Sequence, residues 1–236
     1  MANIRFGAPK SIRNGLIFHL DSYNPKSYIN GSTWTDLSNF NNCTLTNTTF
    51  NNSSINFNGT TSKGSLGNNL LTELGVTSGT QNDVAYSMEC VFKINTQPIG
   101  VGLDGYSLMG HASVGGIGLH AFNDGVNFGY RSNSNIDFTG VALSTNVWYH
   151  AVGTRAVGGD VFTYLNGVQE ASNTTSGSTY LSVNYVIADF EIGDADSRIG
   201  KLNGDIVVCK VYNRVLTPSE VEYNYNIYKS RLNLSI

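Results

Sequence analysis

Short runs in which apolar and polar residues alternate recur along this chain. The clearest is residues 86–94 (YSMECVFKI), where every second side chain is apolar. A period of two predicts a strand with one buried face. Apolar runs at residues 15–21 and 147–152 predict further strands, and the Asp124-Gly125 and Asn166-Gly167 pairs predict tight hairpins. The pattern therefore predicts many short antiparallel strands.

The end of the chain changes to a helical pattern. Residues 217–220 (TPSE) have the sequence of a capping box, with proline at the first helical position. Val221, Tyr225 and Tyr228 then recur at the spacing of one helical face. We expect a short C-terminal helix whose apolar face packs on a sheet.

The composition indicates an all-β chain with one domain. The 236 residues are 40% hydrophobic and 13% charged, with only 4 prolines, and Gly, Asn, Ser and Thr are abundant, as in chains of many strands joined by turns. All-β domains commonly reach about 200–250 residues as one unit. We expect an extended N-terminal arm at residues 1–14 and a single domain at residues 15–236.

Charge and hydropathy exclude two classes of partner. The formal net charge is −3 and the basic residues are scattered, so the electrostatic footprint of a nucleic-acid-binding protein is missing. No run approaches the roughly 20 apolar residues of a membrane span, and the N-terminus lacks the apolar segment of an export signal. We expect a soluble chain that binds neither nucleic acid nor membrane.

The 3 cysteines do not predict a disulfide framework. Cys90 and Cys209 alternate with apolar residues, so both are expected to be small core residues. Cys43 lies in a polar stretch, where we expect an exposed side chain. No pair has C-x-x-C spacing, so zinc is not predicted.

A series of short motifs spans the chain from about residue 15 to its end. They are residues 15–21 (GLIFHLD), 34–38 (WTDLS), 57–59 (FNG), 148–150 (WYH), 164–167 (YLNG), 192–193 (IG) and 212–217 (YNRVLT). In this order and spacing they resemble the laminin-G-like, concanavalin A-like lectin-glucanase jelly-roll superfamily. The resemblance implies an all-β fold, a two-sheet antiparallel jelly-roll sandwich with a short C-terminal helix.

The early part of the chain resembles one branch more closely. Residues 19–21, 24–28, 34–38 and 41–47 are similar to modules in structural proteins of tailed bacteriophages, although residues 40–43 (FNNC) stand where such modules usually carry glycines. The resemblance implies a non-catalytic virion surface protein, a head decoration or a tail-associated appendage, made in the cytoplasm of the bacterial host. Its expected partners are other virion proteins and host cell-surface glycans, and a homo-oligomer is an open alternative.

Because the same fold is found in glycoside hydrolases, paired acids would indicate catalysis. A retaining enzyme needs two carboxylates about 5–5.5 Å apart. Glu89 instead stands alone on its predicted strand, and the acids of residues 191–196 (EIGDAD) straddle a glycine turn. His19 and His150 lie in predicted core strands, without a nucleophile motif. We expect that the chain is not an enzyme, and a polysaccharide-degrading glycoside hydrolase is the alternative.

Asp194 and Asp196 are the candidate metal ligands, because carboxylates two residues apart offer the hard oxygen atoms that calcium prefers. The alternative is that both carboxylates cap a loop by accepting hydrogen bonds from its own backbone amides. No other cofactor is predicted. If calcium binds, the chain would be a calcium-dependent carbohydrate-binding lectin module.

Sugar recognition by such a fold needs an aromatic platform beside groups that hydrogen-bond hydroxyls, on loops held by a rigid sheet. The glycine-rich middle of the chain offers such groups. The candidate carbohydrate-binding residues are Asp104, Tyr106, His111, Asn123, Asp124 and Tyr130. Trp34 belongs to the family motif and is expected to fill the core.

Overall fold

The fold consists of two antiparallel sheets stacked face to face, with a helix on the outside of one of them. The computed structural model describes residues 10–39, 41–67, 69–76, 81–82, 84–98, 105–111, 117–130, 137–138, 140–173, 181–182, 189–194 and 200–232. The predicted all-β, two-sheet antiparallel jelly-roll sandwich with a short C-terminal helix is confirmed.

The described residues form eighteen strands and two helices. They are β1 (Leu16–Asp21), β2 (Thr33–Trp34), β3 (Cys43–Thr46), β4 (Thr49–Asn51), β5 (Ser54–Asn58), β6 (Lys63–Ser65), α1 (Asn69–Glu73), β7 (Gln81–Asn82), β8 (Tyr86–Ile94), β9 (Tyr106–His111), β10 (Ile117–Phe122), β11 (Gly125–Tyr130), β12 (Asp137–Phe138), β13 (Trp148–Arg155), β14 (Val161–Leu165), β15 (Val168–Asn173), β16 (Leu181–Ser182), β17 (Phe190–Ile192), β18 (Asn203–Tyr212) and α2 (Pro218–Leu232).

Sheet A has the order β15-β14-β13-β8-β18-β5-β4, and β1 pairs with β18 beyond the end of β5. Sheet B has the order β12-β11-β10-β9-β17-β6-β3-β2, and β7 pairs with β16 in a separate small sheet. Both predicted hairpins are present. Asn166-Gly167 joins β14 to β15, and both residues have the positive φ that favours asparagine and glycine. Asn123-Asp124 joins β10 to β11, one residue earlier than the predicted pair, and Gly125 is the first residue of β11.

The core lies between the two sheets. Its side chains include Phe57 and Phe92 from sheet A and Phe128 and Phe190 from sheet B, all at most 1% exposed. Trp34 is fully buried in the same core, as predicted. The apolar half of each alternating strand therefore explains why the sheets stack.

The centre of sheet A is buried on its outer face as well. Val91, Val207 and Val208 pack there against Tyr225 and Tyr228 of α2. The strand at residues 86–94 consequently has every residue buried except Lys93. The prediction of one buried face for this strand was wrong, because the local pattern does not reveal that a helix covers the polar side.

The helix α2 begins with the predicted cap. The Thr217 amide donates to Glu220 Oε2 at 2.9 Å, and the Glu220 amide donates to Thr217 Oγ1 at 3.3 Å, so both halves of the capping box are present. Val221, Tyr225 and Tyr228 are buried as predicted, and Asn224 is buried with them. Neither α1 nor α2 is long and apolar enough to cross a membrane, and this holds for the described part of the chain.

The described part of the predicted N-terminal arm, residues 10–14, lies against α2. The Ile12 amide donates to Asn224 Oδ1 at 2.8 Å, and Arg214 Nε donates to the Asn14 carbonyl at 2.9 Å. Residues 10–14 are therefore bound to the body of the domain by specific hydrogen bonds.

All three cysteines are free thiols and buried. Cys90 and Cys209 are register partners on β8 and β18, as expected of core residues. Cys43 lies in β3 with no exposed surface, so the prediction of an exposed Cys43 was wrong. Burial raises the pKa of the Cys43 thiol well above its ordinary value, which keeps it protonated.

Candidate functional site

The outer face of sheet B is polar along a row of register partners that runs from β2 to β11. In order, the row consists of Thr33, Thr44, Ser65, Glu191, Gly110, Gly118 and Gly129. Directly paired residues project from the same side of a sheet. The adjacent positions Leu45 and Ile192 belong to the core, so this row faces away from sheet A.

Three neighbouring positions in this row are glycines. A Cβ atom at Gly110 would lie 2.7 Å from the Ile117 carbonyl oxygen, and one at Gly118 would contact the His120 ring. Glycine inside a strand often marks a place where a ligand or another backbone approaches closely. Gly110 and Gly118 are therefore required because the β10 backbone and the His120 ring occupy the space that a side chain would take.

A second polar row crosses the same strands. Ser107, His120 and Asn127 are register partners on β9, β10 and β11, and their exposed fractions are 0%, 8% and 7%. The Oγ atom of Ser107 has no hydrogen-bond partner among the described residues, although side chains buried to this degree normally have one. We call Ser65, Ser107, His120, Asn127, Glu191 and the three glycines the polar face.

Glu191 is held in place on the polar face by Lys63. Lys63 Nζ lies 2.6 Å from Glu191 Oε1, and this hydrogen bond raises the pKa of Lys63, so the lysine is charged at neutral pH. Ser65 Oγ bonds in turn to Asp189 Oδ2 at 2.8 Å. Hydroxyl, amide, imidazole and carboxylate groups thus share one surface, and hydrogen-bonding groups of these kinds suit a ligand rich in hydroxyl groups.

The described backbone divides the candidate carbohydrate-binding residues between two ends of sheet B. Tyr106 begins β9 and pairs with Ala121, next to Asn123 and Asp124 in the β10–β11 turn. His111 and Tyr130 lie at the other end of these strands. Strands rise by about 3.3 Å per residue, so the two groups are separated by roughly the length of β9. Asp104 lies outside the described residues.

The candidate residues at the Tyr106 end of sheet B differ in burial and in hydrogen bonding. Tyr106 Oη bonds to Thr96 Oγ1 at 2.7 Å. Asn123 is exposed, whereas Oδ1 of Asp124 is buried without a partner among the described residues. This end therefore offers Asn123 and Asp124 as ligand groups, and their role in sugar binding stays a prediction.

Asp194 of the predicted calcium site is 4% exposed and forms an ion pair with Lys201 through Oδ2. The lysine ammonium thus occupies the position in which a cation would neutralise this carboxylate. Among the described residues, no three His, Cys, Asp or Glu side chains come together as a metal site, and Asp196 lies outside them. Asp194 Oδ1 is buried without a hydrogen-bond partner among the described residues, and calcium binding by Asp194 and Asp196 stays a prediction.

A charged cluster that the sequence did not predict lies between sheet A and α2. Glu89, which the sequence left alone on its strand, contacts His150 Nε2 at 2.8 Å and Lys210 Nζ at 3.4 Å. It also accepts hydrogen bonds from Tyr212 Oη at 2.9 Å and from Asn224 Nδ2 at 3.0 Å. We call these five residues the Glu89 cluster.

The electrostatics of the Glu89 cluster favour a charged carboxylate despite its burial. Burial alone would raise the pKa of Glu89, but Lys210 and the hydrogen bonds from His150 and Tyr212 outweigh it and lower this pKa to about 2. Burial lowers the pKa of Lys210, and Glu89 opposes that effect. Glu89, His150 and Lys210 are all 0% exposed, so these groups cannot touch a substrate in this conformation and act by holding α2 on the sheet.

A signal for this cluster was present in the sequence. Glu89 and Lys210 carry opposite charges and lie between apolar residues of their strands, and such residues are almost never fully buried unless paired. The pairing itself could not be read from the sequence, because β8 and β18 are neighbours only in the folded sheet.

These features define a class of protein: a lectin-type jelly roll with one sheet covered by a helix and a polar outer face on the other. The model of the concanavalin A-like lectin/glucanases superfamily matches residues 67–222, which is more than half of the chain. The chain therefore belongs to this superfamily. No curated protein matches the chain in sequence.

Two solved structures illustrate the fold similarity. A Trypanosoma rangeli sialidase in complex with a difluoro-KDN compound is similar over 92% of this chain and 33% of its own, with 20% identity and a TM-score of 0.66. This chain thus spans about a third of the sialidase. Domain 4 of AbnA, an extracellular arabinanase of family GH43 from Geobacillus stearothermophilus, in complex with arabinotriose, is similar over 89% of this chain and 98% of its own, with 20% identity and a TM-score of 0.62.

These similarities require one correction. The sequence-based prediction that the chain is not an enzyme is overturned, because the structures that share its fold come from a sialidase and an arabinanase, which are both enzymes. The missing acid pair in the sequence therefore did not justify excluding an enzyme. Neither the family match nor these structures supports the resemblance to phage proteins.

Proposed function

We propose that this domain binds an oligosaccharide on the polar face of sheet B. The observation that carries the proposal is the row of polar side chains on the outer face of sheet B. The exposed Thr33 and Thr44 continue through Ser65 to Glu191 on neighbouring strands. Asn127 lies on the same face of β11. Hydroxyl, amide and carboxylate groups on one face can donate and accept hydrogen bonds to a sugar.

Two further findings support a carbohydrate ligand. The superfamily to which the chain belongs is named for lectins and glucanases. The arabinanase domain that is similar over nearly its whole length was solved with a bound trisaccharide. Because the identity to that domain is only 20%, arabinotriose is one ligand to test among others.

The test compares two asparagine variants four residues apart. Asn127→Ala removes an amide from the polar face, whereas Asn123→Ala removes one from the exposed β10–β11 turn. The multivalent protein is first applied to a glycan array that includes arabino-oligosaccharides, with and without a calcium chelator. Affinities of the best ligand are then measured by calorimetry, and release of shorter products from the same ligand is recorded in parallel.

Loss of one hydrogen bond to a ligand is expected to weaken binding about fivefold to tenfold. We expect this loss for Asn127→Ala and less than a twofold change for Asn123→Ala, with each affinity measured below the thermal midpoint of the variant. If Asn123→Ala is the weaker binder, the turn is the site and the polar face is not. The proposal fails if the array shows no bound glycan.

We also propose that the protein is part of a virion, and only the sequence motifs support this. One of these motifs, residues 34–38, has a structural role here. Trp34 is fully buried, and Asp36 Oδ1 accepts hydrogen bonds from the His19 amide at 2.8 Å and the Ser38 amide at 2.9 Å. Mass spectrometry of purified phage particles tests this role, and absence of the chain from them would contradict it.

A further inference from the structure

A second concave site lies on the opposite side of the molecule, where α2 crosses β1. It is a pocket of about 620 Å³, which falls in the usual range for small-molecule sites. Its walls come from residues 10–13, from His19 and Asp21 of β1, and from residues 223–231 of α2. We call it the α2–β1 pocket.

The pocket is held open by specific hydrogen bonds. The Ile12 amide donates to Asn224 Oδ1 at 2.8 Å, and Ile12 accepts a hydrogen bond from Tyr212 Oη at 3.2 Å. Tyr223 Oη donates to the Lys10 carbonyl at 3.3 Å. These bonds fix the segment at residues 10–13 against the helix, so the pocket is present before any ligand binds.

The pocket has an excess of positive charge. Arg231 forms a double hydrogen bond with Asp21, at 2.6 and 2.8 Å, so these two charges neutralise each other. Lys10 and Arg13 are exposed and line the pocket, and neither has an acidic partner among the described residues. Two cationic side chains are therefore available to an anion.

The floor of the pocket contains a polar group without a partner. His19 is 8% exposed, and its Nε2 atom makes no hydrogen bond within the described part of the chain. Burial and Lys210 lower the pKa of His19 to about 3, against the effect of Glu89, and Arg13 and Arg231 act in the same direction as Lys210. The imidazole is neutral at pH 7 and lies where the surrounding charges favour a negative group.

One wall of the pocket is suited to a sugar ring. Tyr223 is 44% exposed and lines the pocket beside Ile227. An exposed tyrosine ring offers a flat apolar surface with a polar edge, which can pack against the face of a sugar ring.

We propose that the α2–β1 pocket binds a carboxylate-bearing saccharide, with the carboxylate at Lys10 and Arg13 and the sugar ring against Tyr223. This site is independent of the polar face, because it lies on the outer side of sheet A. Charge-assisted bonds to the carboxylate provide the specificity, and the bond to Asp21 keeps Arg231 as part of the wall.

The test uses two methyl glycosides that differ only at C6. Methyl β-D-glucuronide carries a carboxylate there, and methyl β-D-glucoside carries a hydroxymethyl group. Binding is followed by protein NMR titration, with inorganic phosphate as a third probe. The variant is Lys10→Gln/Arg13→Gln, and the control is Lys229→Gln, which removes an exposed charge of α2 that does not line the pocket.

We expect the glucuronide to bind with chemical shift changes at Tyr223 and Ile227, and the glucoside to bind at least tenfold more weakly. The double variant should lose about tenfold in affinity, and Lys229→Gln less than twofold, because distant exposed charges are screened at physiological salt. Equal binding of the two glycosides would overturn the proposal, as would tighter binding of phosphate or an unchanged affinity in the double variant. None of these outcomes depends on Asn127, so the polar face is tested separately.

Discussion

Replacing Glu89 with glutamine is expected to destabilise the protein by about 3–5 kcal/mol at pH 7, because it leaves Lys210 buried and unpaired. Glutamine keeps the size of the side chain and can still hydrogen-bond Asn224. It removes the negative charge that Lys210 contacts at 3.4 Å in a site with no exposure. The perturbation therefore isolates the charge from the packing.

The pKa of Glu89 gives an independent magnitude. This pKa is lowered from 4.5 to about 2, which corresponds to about 3 kcal/mol in favour of the folded state. Because the pKa is lower in the folded state, this contribution is fully present above pH 4.5. It is lost as the pH falls from 4.5 through 2, when the carboxylate becomes protonated in the folded protein.

The assay is urea unfolding at pH 7, repeated at several pH values down to about pH 3. Glu222→Gln is the matched control, since Glu222 is an exposed residue of α2, and it should change stability by less than about 0.5 kcal/mol. Glu89→Gln/Lys210→Met should recover part of the loss, because no buried charge is left unpaired. Amide exchange in α2 should accelerate in Glu89→Gln.

The structural reasoning is refuted if Glu89→Gln is no more destabilising than Glu222→Gln. It is also refuted if the deficit of Glu89→Gln stays constant between pH 7 and pH 3. In that case the carboxylate would be solvated or protonated in the folded protein, and the Glu89 cluster would not hold the helix.

Two further predictions concern stability. His19 has a pKa near 3 in the folded protein and 6.5 ordinarily, so the unfolded chain binds its proton first and stability falls as the pH drops through 6.5. Between about pH 8 and pH 5 the loss is about 2 kcal/mol. His19→Gln should remove this loss in urea titrations, and an unaltered pH profile would contradict the assignment. Gly153→Ala should destabilise by roughly 3 kcal/mol or prevent folding, because its Cβ would overlap the Phe128 ring. Gly158→Ala is the matched control, because nothing lies near the Cβ position of Gly158 and only its positive φ is strained. Equal thermal midpoints for the two variants would contradict the prediction, because the overlap with the Phe128 ring would then cost no stability.

The local signals in the sequence predicted the elements that depend on neighbouring residues. Residues 217–220 predicted the helix start, since a capping box is formed within one turn. The Asn166-Gly167 pair predicted a hairpin, since only a few residue types tolerate its φ values. The order and spacing of the short motifs predicted the superfamily, and one of these motifs, residues 34–38, is fixed by the core packing of Trp34 and by the turn at Asp36.

The sites were harder to predict, because their residues come from strands far apart in the chain. Glu89 and Lys210 are 121 residues apart, and neither carries a local sign of its partner. The polar face joins Glu191 to Gly110 and Gly118 only through the register of β17, β9 and β10. A register between distant strands is set by packing of the whole sandwich and not by the strands themselves.

The sequence by itself thus determined the all-β class, the sandwich, the hairpins and the capped helix, because periodicity and turn chemistry act over a few residues. Only the tertiary structure decided that α2 covers the polar side of β8, that Cys43 is buried and that the lone acid Glu89 is paired. It also decided where hydrogen-bonding groups and unpaired charges come together on the surface. These properties depend on long-range contacts. Burial and charge pairing are set by residues that are neighbours in space, and the order of residues along the chain does not show which residues become neighbours.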